Sequence, residues 1–153
     1  MAQDTIFEGT LRWHGQPADL AFTYDTLNRS TTMSFAGGAS IDASAPSVYK
    51  GDDSKPNPET LMLASLMQCH FLTFMAVASK SGATVLSYSD RASGRLAMKD
   101  GRIRYVEVTL HPKVALADPA HAAKLASFHE KAHANCFMAN SVNFPVLVEA
   151  EQG

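Results

Sequence analysis

The chain has 153 residues, of which 46% are hydrophobic and 18% charged. This excludes wholesale disorder, and the length suits one domain over residues 1–153 that needs no disulfide or metal staple. Lys and Arg total 13 against 15 Asp and Glu, a net charge of −2 without a basic stripe, so neither nucleic acid nor a membrane surface is expected as a main partner.

The opening segment MAQDTIFEGT lacks a basic start followed by an apolar run, so it does not read as a signal peptide, and the cytoplasm is the expected compartment. Thr5–Trp13 and Leu20–Thr26 have strand-like composition. Thr31–Phe35 runs into Gly37-Gly38, a hairpin signal. Ile41–Tyr49 is less regular, and the polar cluster Gly51–Asn57 breaks the pattern.

A long helix is expected next. Asn57 is a good N-cap, Pro58 fits the first helical position, and Glu59 suits the positive end of the dipole. From Leu61 to Ala78 the chain is apolar on nearly every face, and Gly82 can end the helix after Lys80. Ser65, Gln68, His70 and Thr73 interrupt its middle, which suits a buried central helix better than a membrane span. Val85–Lys99 reads as one or two strands, and after the tight turn Asp100-Gly101 a strand returns over Ile103–Leu110. Asp118-Pro119 starts a second helix reaching about Ala134, and Val146–Val148 is a last strand. This order gives an α+β domain.

Chemistry concentrates around the two cysteines, Cys69 and Cys136. Cys69 sits mid-helix beside Gln68 and His70; Cys136 follows the second helix in a mixed polar and apolar stretch. Either thiol alone reads as a small buried hydrophobe. Together they are the minimum for reversible cysteine redox chemistry, provided the helices bring them into contact. A competing signal is His129-Glu130-Lys131-Ala132-His133, which matches H-E-x-x-H and puts both histidines on one helical face. No third ligand follows at a familiar spacing, so a zinc protease using Glu130 as base is disfavoured. A metal site drawing on His129 and His133 with Cys136 and Cys69 is the alternative; otherwise no metal is expected.

Asn57-Pro58-Glu59-Thr60-Leu61 leading to Cys69, with the block around Cys136, resembles the OsmC/Ohr family of thiol-dependent peroxidases, and the resemblance covers most of the chain. It implies an OsmC-like fold of antiparallel sheets around a long buried central helix, in an intertwined homodimer. By the same resemblance Cys69 matches the peroxidatic cysteine, Cys136 the resolving cysteine and Glu59 the helix-start glutamate. Arg29 is the candidate for the arginine that pairs with the glutamate and steadies the thiolate, with Lys50 in a neighbouring loop as another cation. The sequence departs from the family pattern at His70, where an apolar residue is common, and at Phe137, where many members have proline.

Glu59 and Cys69 are ten residues apart on one helix, about 15 Å along its axis. Glu59 would therefore act on the partner chain's Cys69 in composite sites at a two-fold interface. The implied reaction is reduction of organic hydroperoxides, with hydrogen peroxide as a further candidate substrate, through a Cys69 sulfenic acid that Cys136 resolves. It needs no bound cofactor, but an external dithiol, in the family often a lipoylated protein, must reopen the disulfide. Met62, Leu66, Phe71, Phe74 and Met138 are the expected apolar lining. The reading from another class is a non-redox OsmC-like protein holding a metal or small ligand near His70, His129, His133 and Cys136.

Overall fold

The computed structural model describes residues 4–151 and divides into two compact units, one ending at Leu61 and the other starting at Met62. In the first unit β1 (Gly9–Trp13), β2 (Thr31–Phe35) and β3 (Ser40–Ala43) form an antiparallel sheet in the order β1-β2-β3. Trp13 pairs with Thr31, and Thr31 with Ala43. Gly37 and Gly38 both have φ of 92°, the left-handed conformation that a tight hairpin turn requires and that glycine adopts freely.

The strand expected over Leu20–Thr26 does not form. Leu20 donates its amide to Pro17 O, Leu27 to Thr23 O, and the Gln16 side chain donates to both Ala21 O and Thr26 O. Local side-chain and turn hydrogen bonds thus take the backbone groups that a ladder would need. The β-rich composition of Thr5–Trp13 yields a shorter strand, starting at Gly9.

The second unit is organised by α1 (Pro58–Lys80), which begins at the tail of the first. Asn57 caps it, with Oδ1 accepting the Thr60 amide at 2.9 Å. Gly82, at φ 74°, lets the chain leave after Lys80. By length and composition α1 could cross a membrane, its most apolar window having a mean hydropathy of 1.7. In the fold, however, it presents a buried stripe of Leu66, His70, Phe74 and Ala78. This i, i+4 spacing marks one face of a core helix. Leu66 packs with Val108, Leu110 and Val146, while Phe74 and Ala78 pack with Val114, Phe128 and Ala132.

The partners of that stripe come from the second sheet and helix. β4 (Val85–Lys99) and β5 (Arg102–Leu116) make one long antiparallel hairpin closed by Asp100 and Gly101, both at positive φ. β5 runs past the expected Leu110 end through Pro112, which lacks an amide donor but offers its carbonyl to Glu151 N. α2 (Leu125–Ala134) follows a 3-10 segment, Pro119–Lys124, whose N-cap Asp118 accepts the Ala120 amide at 2.8 Å. β6 (Val146–Val148) completes the sheet in the order β4-β5-β6 and pairs with β5 in parallel, so this sheet is mixed rather than wholly antiparallel.

Candidate active site

Cys69 lies on α1 and is half-buried; Cys136 follows α2 and is 2% exposed. Both are free thiols, and Cys69 lies close enough to Cys136 to perturb it. The contact arises because α1 and α2 share a core, which puts the chain leaving α2 against the middle of α1. Burial pushes the Cys136 thiol up; the Ala139 and Met138 amides oppose this, and the adjacent Cys69 sulfur adds to it.

The chain leaving α2 is a compact turn. Cys136 N donates to His133 O, Asn140 N to Cys136 O and Ser141 N to Met138 O. Asn140 Nδ2 donates to Ala134 O at 3.1 Å, and Ser141 Oγ to Phe137 O at 2.6 Å. This frame directs the Met138 amide at Cys69 Sγ, 3.5 Å away. Thr73 Oγ1 donates to Cys69 O, the hydroxyl bonding back one turn along the helix.

Cys69 opens into a groove of about 550 Å³. Its wall is Leu72, Ala76, Val77 and Phe137, and Lys80 and Asn135 add polar groups. The apolar lining differs from the sequence expectation. Leu66 and Phe74 are fully buried core, and Phe71 packs edge-on against Tyr88 at 5.0 Å in a separate groove. Leu72, Ala76 and Lys80 recur at helical spacing after Cys69 and so share its face of α1.

The histidines are placed differently from either metal reading. His70 Nε2 and His129 Nδ1 are 3.1 Å apart, their rings stack at 5.4 Å between centroids, and Phe74 covers His129. Desolvation lowers both to about 4, with His129 and His133 adding to the effect at His70. His129, Glu130 and His133 border a third groove of about 410 Å³, apart from the thiols. Among the described residues no group of three or more His, Cys, Asp or Glu side chains gathers to hold a metal ion. One His129 nitrogen faces His70, so the first histidine of H-E-x-x-H bridges the two helices.

The other expected site residues belong to the first unit. Arg29 donates through Nη1 to Leu27 O and through Nη2 to Tyr24 O, and its guanidinium lies 4.9 Å from the Tyr24 ring centroid. Lys50 pairs with Asp25 at 3.0 Å. Glu59 is half-buried in the first turn of α1. The structure thus brings Cys69 and Cys136 together, while the Arg29 guanidinium is bonded within its own loop.

The chain matches the OsmC-like protein family over residues 51–151. It is similar to an OsmC-like protein of unknown function from Vibrio cholerae, at 32% identity and TM-score 0.90, over 97% of this chain and 100% of that one. An organic hydroperoxide resistance protein from Legionella pneumophila shares the fold at 17% identity and TM-score 0.70, over 97% of each chain. The organic hydroperoxide resistance protein OhrB of Bacillus subtilis does so at 19% identity and TM-score 0.64, over 97% of this chain and 98% of that one. No curated protein sequence matches the chain. A family match over most of the sequence, covering α1 and both thiols, together with a relative of this identity over nearly the whole length, identifies the chain as a member of the OsmC/Ohr family.

Proposed function

We propose that the protein is a cysteine peroxidase that reduces organic hydroperoxides. The observation that carries this reading is the half-buried Cys69 thiol opening into an apolar groove with the buried Cys136 thiol close beside it. Accessibility assigns attack to Cys69 and burial assigns resolution to Cys136.

The Cys69 thiolate attacks the distal oxygen of the hydroperoxide, the O–O bond breaks, and the alkoxide leaves as an alcohol after taking a proton. Cys69 is now a sulfenic acid. Cys136 attacks its sulfur, expels water and forms the disulfide. An external dithiol, a lipoylated protein or a small molecule, returns both thiols by exchange. The apolar wall of Leu72, Ala76, Val77 and Phe137 favours an organic substituent over the bare peroxide. Arg29 and Glu59 act in this scheme through a homodimer, in which each chain lends them to its partner's Cys69.

The test treats reduced protein with a slight excess of cumene hydroperoxide, counts thiols and maps the product by mass spectrometry. Loss of both thiols with an intrachain Cys69–Cys136 link supports the reading. Two intact thiols in folded protein reject it.

A further inference from the structure

We propose that the turn from Cys136 to Ser141 supplies the donor that holds negative charge on Cys69, through the Met138 amide, and that Asn140 is the positioning residue that fixes this donor. The proposal deepens the reading of Cys69 as the reacting thiol and rests on it for its functional meaning.

A thiolate is stabilised by a hydrogen bond made to its charged form, and a backbone N–H held by its own frame can give one with little rearrangement. Met138 N is 3.5 Å from Cys69 Sγ, within range for a sulfur acceptor. Met138 has φ −70° and ψ −41°, and its carbonyl accepts Ser141 N, so the peptide cannot swing freely. Asn140 locks the turn onto the end of α2 twice, through its amide to Cys136 O and its side chain to Ala134 O.

Cys136 faces Cys69 from the turn, and Lys80 stands on the same helix at the groove. His70, next in sequence, directs its ring to His129 on α2. The Arg29 guanidinium is bonded to the carbonyls of its own loop. The turn amide is therefore the donor that the second unit itself builds against this sulfur, and it comes on the same segment as the resolving thiol.

The test uses full-length protein in a Cys136→Ser background, so that one thiol titrates. Thiolate absorbance near 240 nm and the rate of iodoacetamide alkylation are followed against pH. Met138→Pro deletes the N–H at a φ that proline accepts, while Met138→Ala keeps it. Asn140→Ala and Asn140→Asp remove the side-chain donor without touching the backbone at Met138.

Met138→Pro, Asn140→Ala and Asn140→Asp are expected to move the titration to higher pH. At any pH below the midpoint, each unit of that movement lowers the thiolate fraction, and with it the alkylation rate, by roughly tenfold. Met138→Ala follows the reference protein. Asp118→Ala, which removes the cap of the preceding 3-10 segment, loses stability without moving the titration. Folded Met138→Pro and Asn140→Ala proteins that titrate like the reference overturn the proposal. Because alkylation needs no peroxide, a shifted titration in a protein that consumes no hydroperoxide would reject the peroxidase reading and leave the amide assignment standing.

Discussion

The imidazoles of His70 and His129 are joined by a 3.1 Å hydrogen bond between Nε2 of the first and Nδ1 of the second, and this bond ties the middle of α1 to α2. Since Cys69 precedes His70 and Cys136 follows the end of α2, the same bridge helps hold the two thiols in reach. One ring must donate and the other accept, so the bond needs at least one neutral imidazole.

Stability should therefore depend on pH in a defined direction. Desolvation lowers both histidines from 6.5 to about 4 in the fold. Between those values the unfolded chain binds more protons than the folded one, so stability is complete above about pH 6.5 and falls as the pH drops towards 4. Each histidine contributes up to about 1.4 kcal/mol per pH unit within that window. Urea midpoints measured from pH 7 to 4.5 should fall steeply, and less so in His129→Gln, which keeps a hydrogen-bonding group but removes one titration. A flat profile in the wild type would reject the account.

The unequal burial of the two thiols predicts unequal consequences of losing them. Cys69→Ser should consume no hydroperoxide above background. Cys136→Ser should react once and then carry the sulfenic acid onward to the sulfinic acid under excess peroxide. Intact-mass measurement checks this: a gain of two oxygens confined to Cys69 is expected, and turnover equal to wild type in Cys136→Ser would remove Cys136 from the mechanism.

Phe137 offers a test of the groove. It is 77% exposed and forms part of the apolar wall beside Cys69, although it belongs to the turn rather than to the core. Phe137→Glu should lower kcat/KM for cumene hydroperoxide by about tenfold, about 1.4 kcal/mol of lost apolar contact and added charge. Hydrogen peroxide, which has no apolar part, should be affected much less. Equal losses for both substrates would show that the residue acts on the turn and not on the substrate.

The start of α1 carries a further prediction. Asn57 Oδ1 accepts the Thr60 amide, and Thr60 Oγ1 accepts the Asn57 amide in return, a reciprocal cap. Asn57→Ala should cost about 1 kcal/mol. Calorimetry reads this directly, and an unchanged Tm would mean that solvent replaces the cap without loss.

Some parts of the structure were legible because their cause is local. Asn57-Pro58 and Gly82 bound α1 as their capping chemistry requires, Gly37-Gly38 and Asp100-Gly101 close hairpins because they accept positive φ, and Val146–Val148 forms the last strand. Leu20–Thr26 misled because strand composition is not a strand without a neighbour to pair with, and Gln16 captured its carbonyls. The apolar lining misled for a related reason. Leu66 and Cys69 lie on the same helix, but one faces β5 and the other the groove, and which face meets which partner is not a property of the helix alone.

By itself the sequence determined the pair of thiols, the capped helix that carries the first of them, the α+β element order and the family. These rest on residue identity and on spacing within a few turns of chain. Tertiary packing decided that Cys69 and Cys136 meet, that His70 bonds His129 and that the Met138 amide faces the Cys69 sulfur. Each of these joins groups about 60 to 70 residues apart in the chain. Such contacts exist only after the apolar faces of α1, α2 and β5 have buried one another, and no local preference encodes them.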